Sequence, residues 1–202
     1  MRGLVRVPRS AKRAAGDYNG PMHAGTGQRK MWRKCCREEG NVNYALEIDR
    51  AIDGDDLVGA RDLAGQWVAD APGEAEAWSK LAHVHEMSED FVQASNAVAQ
   101  ALNISPDYLP YLFEQGYIAY RLQNYAHAES AFGRCVERSE MARDNFYLDA
   151  ARIARARCLV LDGRASLAAI VIADAAADSA AWLDGRFSKE DVMKSILGAR
   201  PP

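Results

Sequence analysis

The feature that most constrains this chain is a pattern of side-chain sizes that recurs every 34 residues. Small residues recur where neighbouring helices would have to approach closely, and large apolar residues recur where they would fill the space between helices. Repetition at a period of about 20–50 residues is typical of arrays in which one supersecondary unit stacks on the next. Between residues 75–108 and 109–142, the pattern pairs Trp78 with Leu112, Ala82 with Gly116, Phe91 with Tyr125, Ala94 with Ala128, Val98 with Phe132 and Ala101 with Cys135.

The same period divides most of the chain into helix-turn-helix units. One step back along the sequence, Tyr44 takes the position of Trp78, and Pro72 takes that of Pro106. A single helix pair cannot bury its apolar faces alone, so about three stacked units and closed ends are needed for stability. The predicted units are 41–74, 75–108, 109–142 and a degenerate 145–178, followed by a terminal helix at 188–198.

The fourth unit departs from the regular period. Residues 161–164 resemble the turn at 122–125 at an offset of 39, which places the extra residues in the preceding loop, near 139–144. The helices of this unit are predicted at about 145–161 and 165–177. With the terminal helix, the fourth unit is interpreted as the cap that closes the array.

A short amphipathic helix is predicted to end the chain. Ser188 is a suitable N-cap, and Asp191 stands at the third helical position, where its carboxylate can bond back to the cap. Gly198 and the final pair of prolines stop the helix.

Segment 75–106 carries a family resemblance. It holds Trp78, Leu81, Ala82, Phe91, Ala94, Val98, Ala101 and Pro106 at characteristic positions, and in this respect it resembles the tetratricopeptide repeat family. It departs from the family pattern at His85, where an aromatic residue is usual. The neighbouring units depart further, with Glu47 and Ile48 in the first unit and Gln115 in the third. More weakly, residues 158–163 resemble the third repeat of compact secretion chaperones built from the same units.

The resemblance and the composition imply the same fold class. Alanine is abundant and β-branched runs are scarce, which favours closely packed helices. The predicted fold is therefore all-α: a right-handed α-solenoid of three to four tetratricopeptide-like units, residues 41–202, with a C-terminal capping helix. Residues 1–40 lack sustained periodicity and are predicted to form a disordered N-terminal arm, although an over-long start assignment remains an alternative because Met22 and Met31 follow.

Charge is distributed unevenly along the chain. Residues 1–37 hold ten Lys or Arg against one acidic residue, whereas the whole chain has a net charge of −3. A basic arm thus precedes an acidic body, which disfavours nucleic acid as a partner of the body. No apolar run is long enough to span a bilayer. The four cysteines form no disulfide framework or zinc spacing, so a cytoplasmic location is predicted.

The resemblance implies that the first helix of each unit lines a concave groove. Phe113, Tyr117 and Tyr120 follow one another at steps of four and three, which puts them on one stripe of a helix. The stripe either faces the groove as a peptide anchor or packs against a neighbouring helix or the C-terminal segment. The groove candidates are Phe113, Tyr117, Tyr120, Arg121, His83, Lys80 and Met87.

Other kinds of site are disfavoured by the residues present. The family's carboxylate clamp uses Lys and Asn at groove positions that here hold Ala45, Asp49 and Glu114, among others. His83 and His85 diverge by about 200° around a helix and cannot share a metal ion. No catalytic triad or nucleophile motif is present, so no enzymatic activity, cofactor or metal is predicted.

These observations predict a non-enzymatic adaptor or scaffold that binds a protein or peptide in its concave groove. Two alternatives stay open: a secretion-type chaperone for an unfolded or helical client, and a structural subunit that assembles through its ends or convex face. The sequence also leaves the formation of homo-oligomers open. It does not name the partner, because a fold does not specify a function.

Overall fold

A computed structural model describes residues 43–198. The predictions for residues 1–40, including the basic arm and its disorder, lie outside the described residues. The described part contains nine α-helices and one two-stranded hairpin. In chain order these elements are α1 (Tyr44–Asp53), α2 (Leu57–Asp70), α3 (Ala75–Met87), α4 (Phe91–Ile104), α5 (Leu109–Arg121), α6 (Tyr125–Ala142), α7 (Leu148–Leu161), α8 (Ala165–Ala173), β1 (Ala180–Trp182), β2 (Arg186–Ser188) and α9 (Lys189–Gly198).

The first eight helices pack as consecutive antiparallel pairs. Helix α1 packs on α2, α3 on α4, α5 on α6 and α7 on α8, and the second helix of each of the first three pairs also packs on the first helix of the next. This arrangement is the predicted helical-repeat solenoid. No described helix is long and apolar enough to cross a membrane.

The turn inside each pair has the same conformation in all four units. In each turn, the second residue before the second helix has a left-handed conformation with positive φ. The residue between it and the helix is the N-cap. In the first three units, the side chain of the N-cap accepts a hydrogen bond from the backbone N–H three residues later, which satisfies one free donor of the helix. The left-handed residues are Asp55, Glu89, Gln123 and Gly163, and the side-chain caps are Asp56, Asp90 and Asn124.

This turn corrects the register predicted for the fourth unit. Gly163 is equivalent to Gln123, so the offset is 40 residues and not 39. The extra residues mainly lengthen α6, which has 18 residues where α4 has 14, and they do not form the long loop that was predicted. Helix α6 ends at Arg143, which takes a left-handed conformation (φ 54°). The pair that follows begins at Leu148, later than predicted.

Small residues allow the helices to approach closely, as the repeat predicts. A Cβ atom added to Gly116 would lie 2.6 Å from Cε1 of Phe132, whose ring is fully buried. No side chain can be accommodated there without moving that ring. Ala82, which is equivalent to Gly116 in the second unit, is also buried. The other recurring small positions are buried as well, and they include Ala60, Ala94, Ala101 and Ala128.

Trp78, which the repeat places in the space between helices, is only partly buried. The ring packs only partly against the core, and its Nε1–H donates a hydrogen bond to the carbonyl oxygen of Pro72 at 2.9 Å. Trp67 is the buried tryptophan of this region. It is 7% exposed, stacks on Tyr44 and donates to a carboxylate oxygen of Glu74 at 2.9 Å. An indole needs a partner for its N–H when it is buried, and both tryptophans have one.

The C-terminal segment contains one predicted helix and one element that was not predicted. Helix α9 begins with a reciprocal cap: Ser188 N–H donates to the Asp191 carboxylate, and Asp191 N–H donates to Ser188 Oγ. This confirms the predicted start of the helix. Strands β1 and β2 pair antiparallel, with Ala181 opposite Phe187. The prediction of an all-helical C-terminus was incomplete in this respect. We call the segment from Ala180 to Ser188 the hairpin.

Candidate functional site: the inner face of the first helices

The first helices of successive pairs are joined by polar side chains. Lys80 Nζ on α3 donates to Asp49 Oδ1 on α1 at 2.5 Å. Ser79 Oγ on α3 donates to Glu114 Oε2 on α5 at 3.2 Å. The resemblance to tetratricopeptide repeats implies that the first helices line the concave surface. We call the surface that α1, α3, α5 and α7 present there the inner face.

Arg121 is held firmly on the inner face at the end of α5. Its guanidinium donates to the hydroxyl of Tyr117 at 2.8 Å and lies 4.3 Å from the centroid of the Phe91 ring. Contact with an aromatic face stabilises a cation by about 1 kcal/mol or more when water is partly excluded. Arg121 therefore presents a fixed positive charge near Glu86. This charge opposes the rise in the pKa of Glu86 that burial causes.

Two carboxyl groups on the inner face have raised pKa values. Burial raises the pKa of Glu86 to about 7, against the opposing effect of Arg121. Burial, together with the negative charge of Glu86, raises the pKa of Glu114 to about 8, although the hydrogen bond from Ser79 acts in the other direction. Each group has lost hydration that its neighbours do not fully replace. A cation brought to this surface would restore the charged form of both groups.

The two histidines of α3 have separate environments. Burial and the nearby Lys80 lower the pKa of His83, so its imidazole is neutral at pH 7. His85 Nδ1 lies 3.9 Å from an oxygen of Asp90, and burial lowers the pKa of this histidine as well. Within residues 43–198, no group of three potential metal ligands lies together.

The predicted aromatic stripe does not face an open groove along its whole length. Phe113 and Tyr120 are only 8% and 5% exposed. The Phe113 ring packs on Phe132 and Tyr147, with centroids 5.2 and 5.5 Å away. Only Tyr117, the middle residue of the stripe, remains partly exposed. The alternative interpretation, packing against neighbouring elements, therefore describes Phe113 and Tyr120, because a helix between two neighbours buries a wide apolar sector.

The hairpin explains the burial of Tyr120. The Tyr120 hydroxyl donates to Asp184 Oδ1 at 3.0 Å. The Arg157 guanidinium lies 4.6 Å from the centroid of Phe187. By the offset of 40 residues, Arg157 occupies in the fourth unit the position that Tyr117 occupies in the third. Both contacts of the hairpin are therefore with groove positions, and the hairpin covers the inner face where α5 meets α7.

The seven candidate residues thus fall into three groups. Phe113 and Tyr120 are buried. Met87 is 39% exposed on α3. The remaining four are partly buried polar or aromatic groups on α3 and α5: Lys80, His83, Tyr117 and Arg121.

The sequence did not reveal two further groups of residues. One is the pair of carboxyl groups, Glu86 and Glu114, because the loss of hydration depends on packing between units. The other is the hairpin with Asp184 and Phe187. Its one local signal was Gly185 between the apolar residues Leu183 and Phe187, a short turn between two short apolar runs.

Comparison with known proteins agrees with this geometry. No family model and no curated protein matches the chain. Among solved structures, 24 chains match. One is the TPR2B domain of yeast Sti1 in its complex with pHsp70, with a TM-score of 0.53 and 14% sequence identity, over 57% of this chain and 92% of that one. The fold is a tetratricopeptide-like helical solenoid.

At this level of identity, the likeness shows the fold alone. The binding of pHsp70 is a property of the Sti1 domain. On the inner face, Asp49 and Glu114 lie near Lys80, and the Lys80 ammonium group is paired with Asp49.

Proposed function

We propose that this protein is a non-enzymatic adaptor or scaffold that binds a segment of another protein on the inner face of units 1–3. The observation that carries the proposal is the row of polar side chains that crosses α1, α3 and α5, with the exposed Met87 beside it. Surfaces of this kind combine fixed polar groups, which orient a ligand, with an apolar contact that contributes affinity. The tetratricopeptide-like fold supports the same function.

The charges of this surface favour a ligand with a basic side chain. Glu86 and Glu114 have both lost hydration, and a lysine or arginine from the ligand would replace it with an ion pair. The same surface opposes a free C-terminal carboxylate, because Lys80 is already paired with Asp49. The proposed ligand is therefore a segment with a basic residue and an apolar residue that contacts Met87.

Affinity capture from a native lysate tests this proposal. The bait carries Glu86→Lys and Met87→Lys, which repel a basic ligand, and the matched control carries Val58→Lys and Val92→Lys, which replace exposed residues on the second helices α2 and α4. We expect the control to retain the partners of the wild type and the inner-face variant to lose them. If both variants recover the same partners as the wild type, the ligand does not bind at this surface.

A second candidate function, an assembly subunit that binds through its convex face, is favoured by one observation. On α8, Leu167 and Ile170 are 48% and 70% exposed. In the third unit, the positions equivalent to these two hold His127 and Ser130, which are polar. An apolar pair in place of polar residues is typical of a protein interface. Light scattering tests this candidate, since Ile170→Asp should lower the mass of any homo-oligomer that forms through α8.

The chaperone alternative receives less support from the described residues. The segment 158–163 that resembles secretion chaperones begins with Cys158 and Leu159, which are both buried in α7. Burial raises the pKa of the Cys158 thiol to about 12. These residues therefore serve the core of the fourth unit. A cytoplasmic location stays a prediction.

A further inference from the structure

The hairpin contacts the inner face in the manner of a bound peptide. Asp184, in the turn between the two strands, contacts Tyr120, and Phe187, in β2, contacts Arg157. Tyr120 and Arg157 belong to different units, α5 and α7, and both stand at groove positions. The hairpin therefore bridges two adjacent repeats, as a ligand of the groove would.

Burial within the hairpin is restricted to one side. Ala181 and Leu183 are 1% and 8% exposed, whereas Trp182 is 53% exposed. The alternation follows the two-residue period of a strand, with Ala181 and its partner Phe187 on the side that packs on α7. Ala181 and Leu183 belong to the main hydrophobic cluster of the protein, and Phe187 packs against it, so three apolar side chains hold the hairpin in place.

Local structure contributes little to the stability of the hairpin. Each strand has three residues. An isolated two-stranded hairpin is marginally stable in water at best, so the contacts with the helices decide whether it forms. Among the described residues, the polar contacts of the hairpin with the helices are the hydrogen bond from Tyr120 and the cation–aromatic contact with Arg157. Just before the hairpin, Ser179 Oγ donates to Asp149 Oδ2 at 3.1 Å. Contacts of this kind are individually weak. Their replacement by a competing segment requires a modest gain.

Arg157 offers such a gain. Its Nε atom is buried and has no hydrogen-bond partner among residues 43–198. A buried donor without an acceptor is unfavourable, because it has lost its hydrogen bond to water. Tyr120 is a hydrogen-bond partner of the Arg157 guanidinium, but Phe187 supplies only a ring and no acceptor atom for Nε. A ligand that brings both an aromatic ring and a carbonyl or carboxylate oxygen would satisfy Arg157 better than the hairpin does.

We propose that the hairpin is an intramolecular ligand of the groove, which competes there with a protein segment that carries an acidic residue three positions before an aromatic residue. The spacing is that of Asp184 and Phe187 in this chain. The tether gives the hairpin a high effective concentration at the site, of order millimolar, so a competing segment must be present in excess or bind more tightly. This inference rests on the proposed function, since it assigns a ligand class to the C-terminal part of the same groove.

A peptide with the sequence of residues 178–189 provides the direct test. The fluorescently labelled peptide is titrated with the full chain, either wild type or Asp184→Ala/Phe187→Ala, and binding is read as anisotropy. We expect the double variant to bind the peptide at least about tenfold more tightly than the wild type, because its own hairpin no longer competes. A peptide in which alanine replaces the same two residues should not bind. Trp182→Ala, on the exposed side of the hairpin, is the control and should behave as the wild type.

Hydrogen exchange shows whether the hairpin can leave the site in a folded protein. We expect the double variant to exchange faster at positions 181 and 187, while the amides of α1 to α6 remain as protected as in the wild type. Loss of protection throughout α5 and α7 would show that the hairpin belongs to the core and would overturn the inference. Equal affinity of the peptide for wild type and double variant, or no binding to either, would also overturn it. Neither result affects the capture experiment with Glu86 and Met87, so failure of this inference is distinguishable from failure of the proposed function.

Discussion

The inner face of units 1–3 and that of unit 4 are built on the same repeat but present different surfaces. Over α1, α3 and α5, the side chains are polar and partly buried, and Met87 is exposed beside them. Over α7, Arg157 occupies the position that Tyr117 occupies in the third unit, and its guanidinium lies 4.6 Å from the centroid of the Phe187 ring of the hairpin. The repeats thus supply one scaffold throughout. The segment that follows the last pair determines where the groove remains accessible.

The largest expected effect separates the two tryptophans beneath the accessible region. Trp67 is 7% exposed, so Trp67→Ala should destabilise the fold by about 3–5 kcal/mol, mainly through the cavity that it leaves. Trp78 is only partly buried, so Trp78→Ala should cost less, about 2 kcal/mol. Urea unfolding of both variants measures the difference. Equal losses of stability would contradict the difference in burial between Trp67 and Trp78.

The next effect concerns the helix contact in the third unit, at the border of the two regions. Gly116→Ala should cost about 2–3 kcal/mol, because the added methyl group meets the buried Phe132 ring. Gly65→Ala is the matched control: no atom lies within 4 Å of the added Cβ, and alanine favours the helix over glycine by about 1 kcal/mol. Urea unfolding should therefore show opposite signs for the two variants. A neutral Gly116→Ala would contradict the close approach of α5 and α6.

The stability of the protein should depend on pH through two carboxyl groups of the accessible region. The pKa values of Glu86 and Glu114, about 7 and about 8, exceed their usual value of 4.5, so the folded protein binds more protons than the unfolded chain. Stability should therefore fall as the pH rises from about 4.5 to about 8. Glu86→Gln/Glu114→Gln should remove this loss and be more stable than the wild type at pH 9, by about 1–3 kcal/mol, since partial contact with water moderates the effect.

Thermal unfolding of wild type and double variant at pH 5 and pH 9 measures this difference. The two proteins should unfold at similar temperatures at pH 5 and at different temperatures at pH 9. The same difference at both pH values would show that the carboxyl groups are not responsible.

The smallest expected effect compares two tyrosines of α5, of which Tyr120 contacts the hairpin and Tyr117 contacts Arg121. Tyr120→Phe removes the hydrogen bond to Asp184 and should destabilise the hairpin by at most about 1 kcal/mol, because the exposed carboxylate can bind water instead. Tyr117→Phe removes the hydrogen bond from Arg121 and should leave the hairpin unchanged. Hydrogen exchange at Ala181 distinguishes the two variants. Faster exchange in Tyr117→Phe would mean that the two regions are coupled.

Much of the fold could be predicted because the repeat pattern reflects interactions between residues that are close together in the sequence. The side-chain caps Asp56, Asp90 and Asn124 recur at the spacing of 34, and small residues recur where helices meet. The start of α9 was also predictable, since the pair Ser188 and Asp191 forms a local reciprocal cap. These features depend on residues that are near one another in the sequence.

The features that were missed depend on contacts between distant parts of the chain. The hairpin forms because Ala181 and Phe187 pack on the side of the hairpin that contacts α7. Strands of three residues are too short to produce a clear pattern in the sequence. The burial of Tyr120 depends on Asp184, 64 residues away. A helical stripe of aromatic residues has the same spacing whether it faces a ligand, a core or a covering segment. The candidate site could therefore be located from the sequence, but the extent of its exposure could not.

Site-specific photo-cross-linking tests the central claim most directly. A photoreactive amino acid replaces either Met87, on the inner face of α3, or Val92, 59% exposed on α4, and each protein is irradiated in a native lysate. The proposed function predicts a discrete protein adduct from position 87 and none from position 92. An adduct from position 92 alone, or the same adducts from both positions, would contradict binding on the inner face.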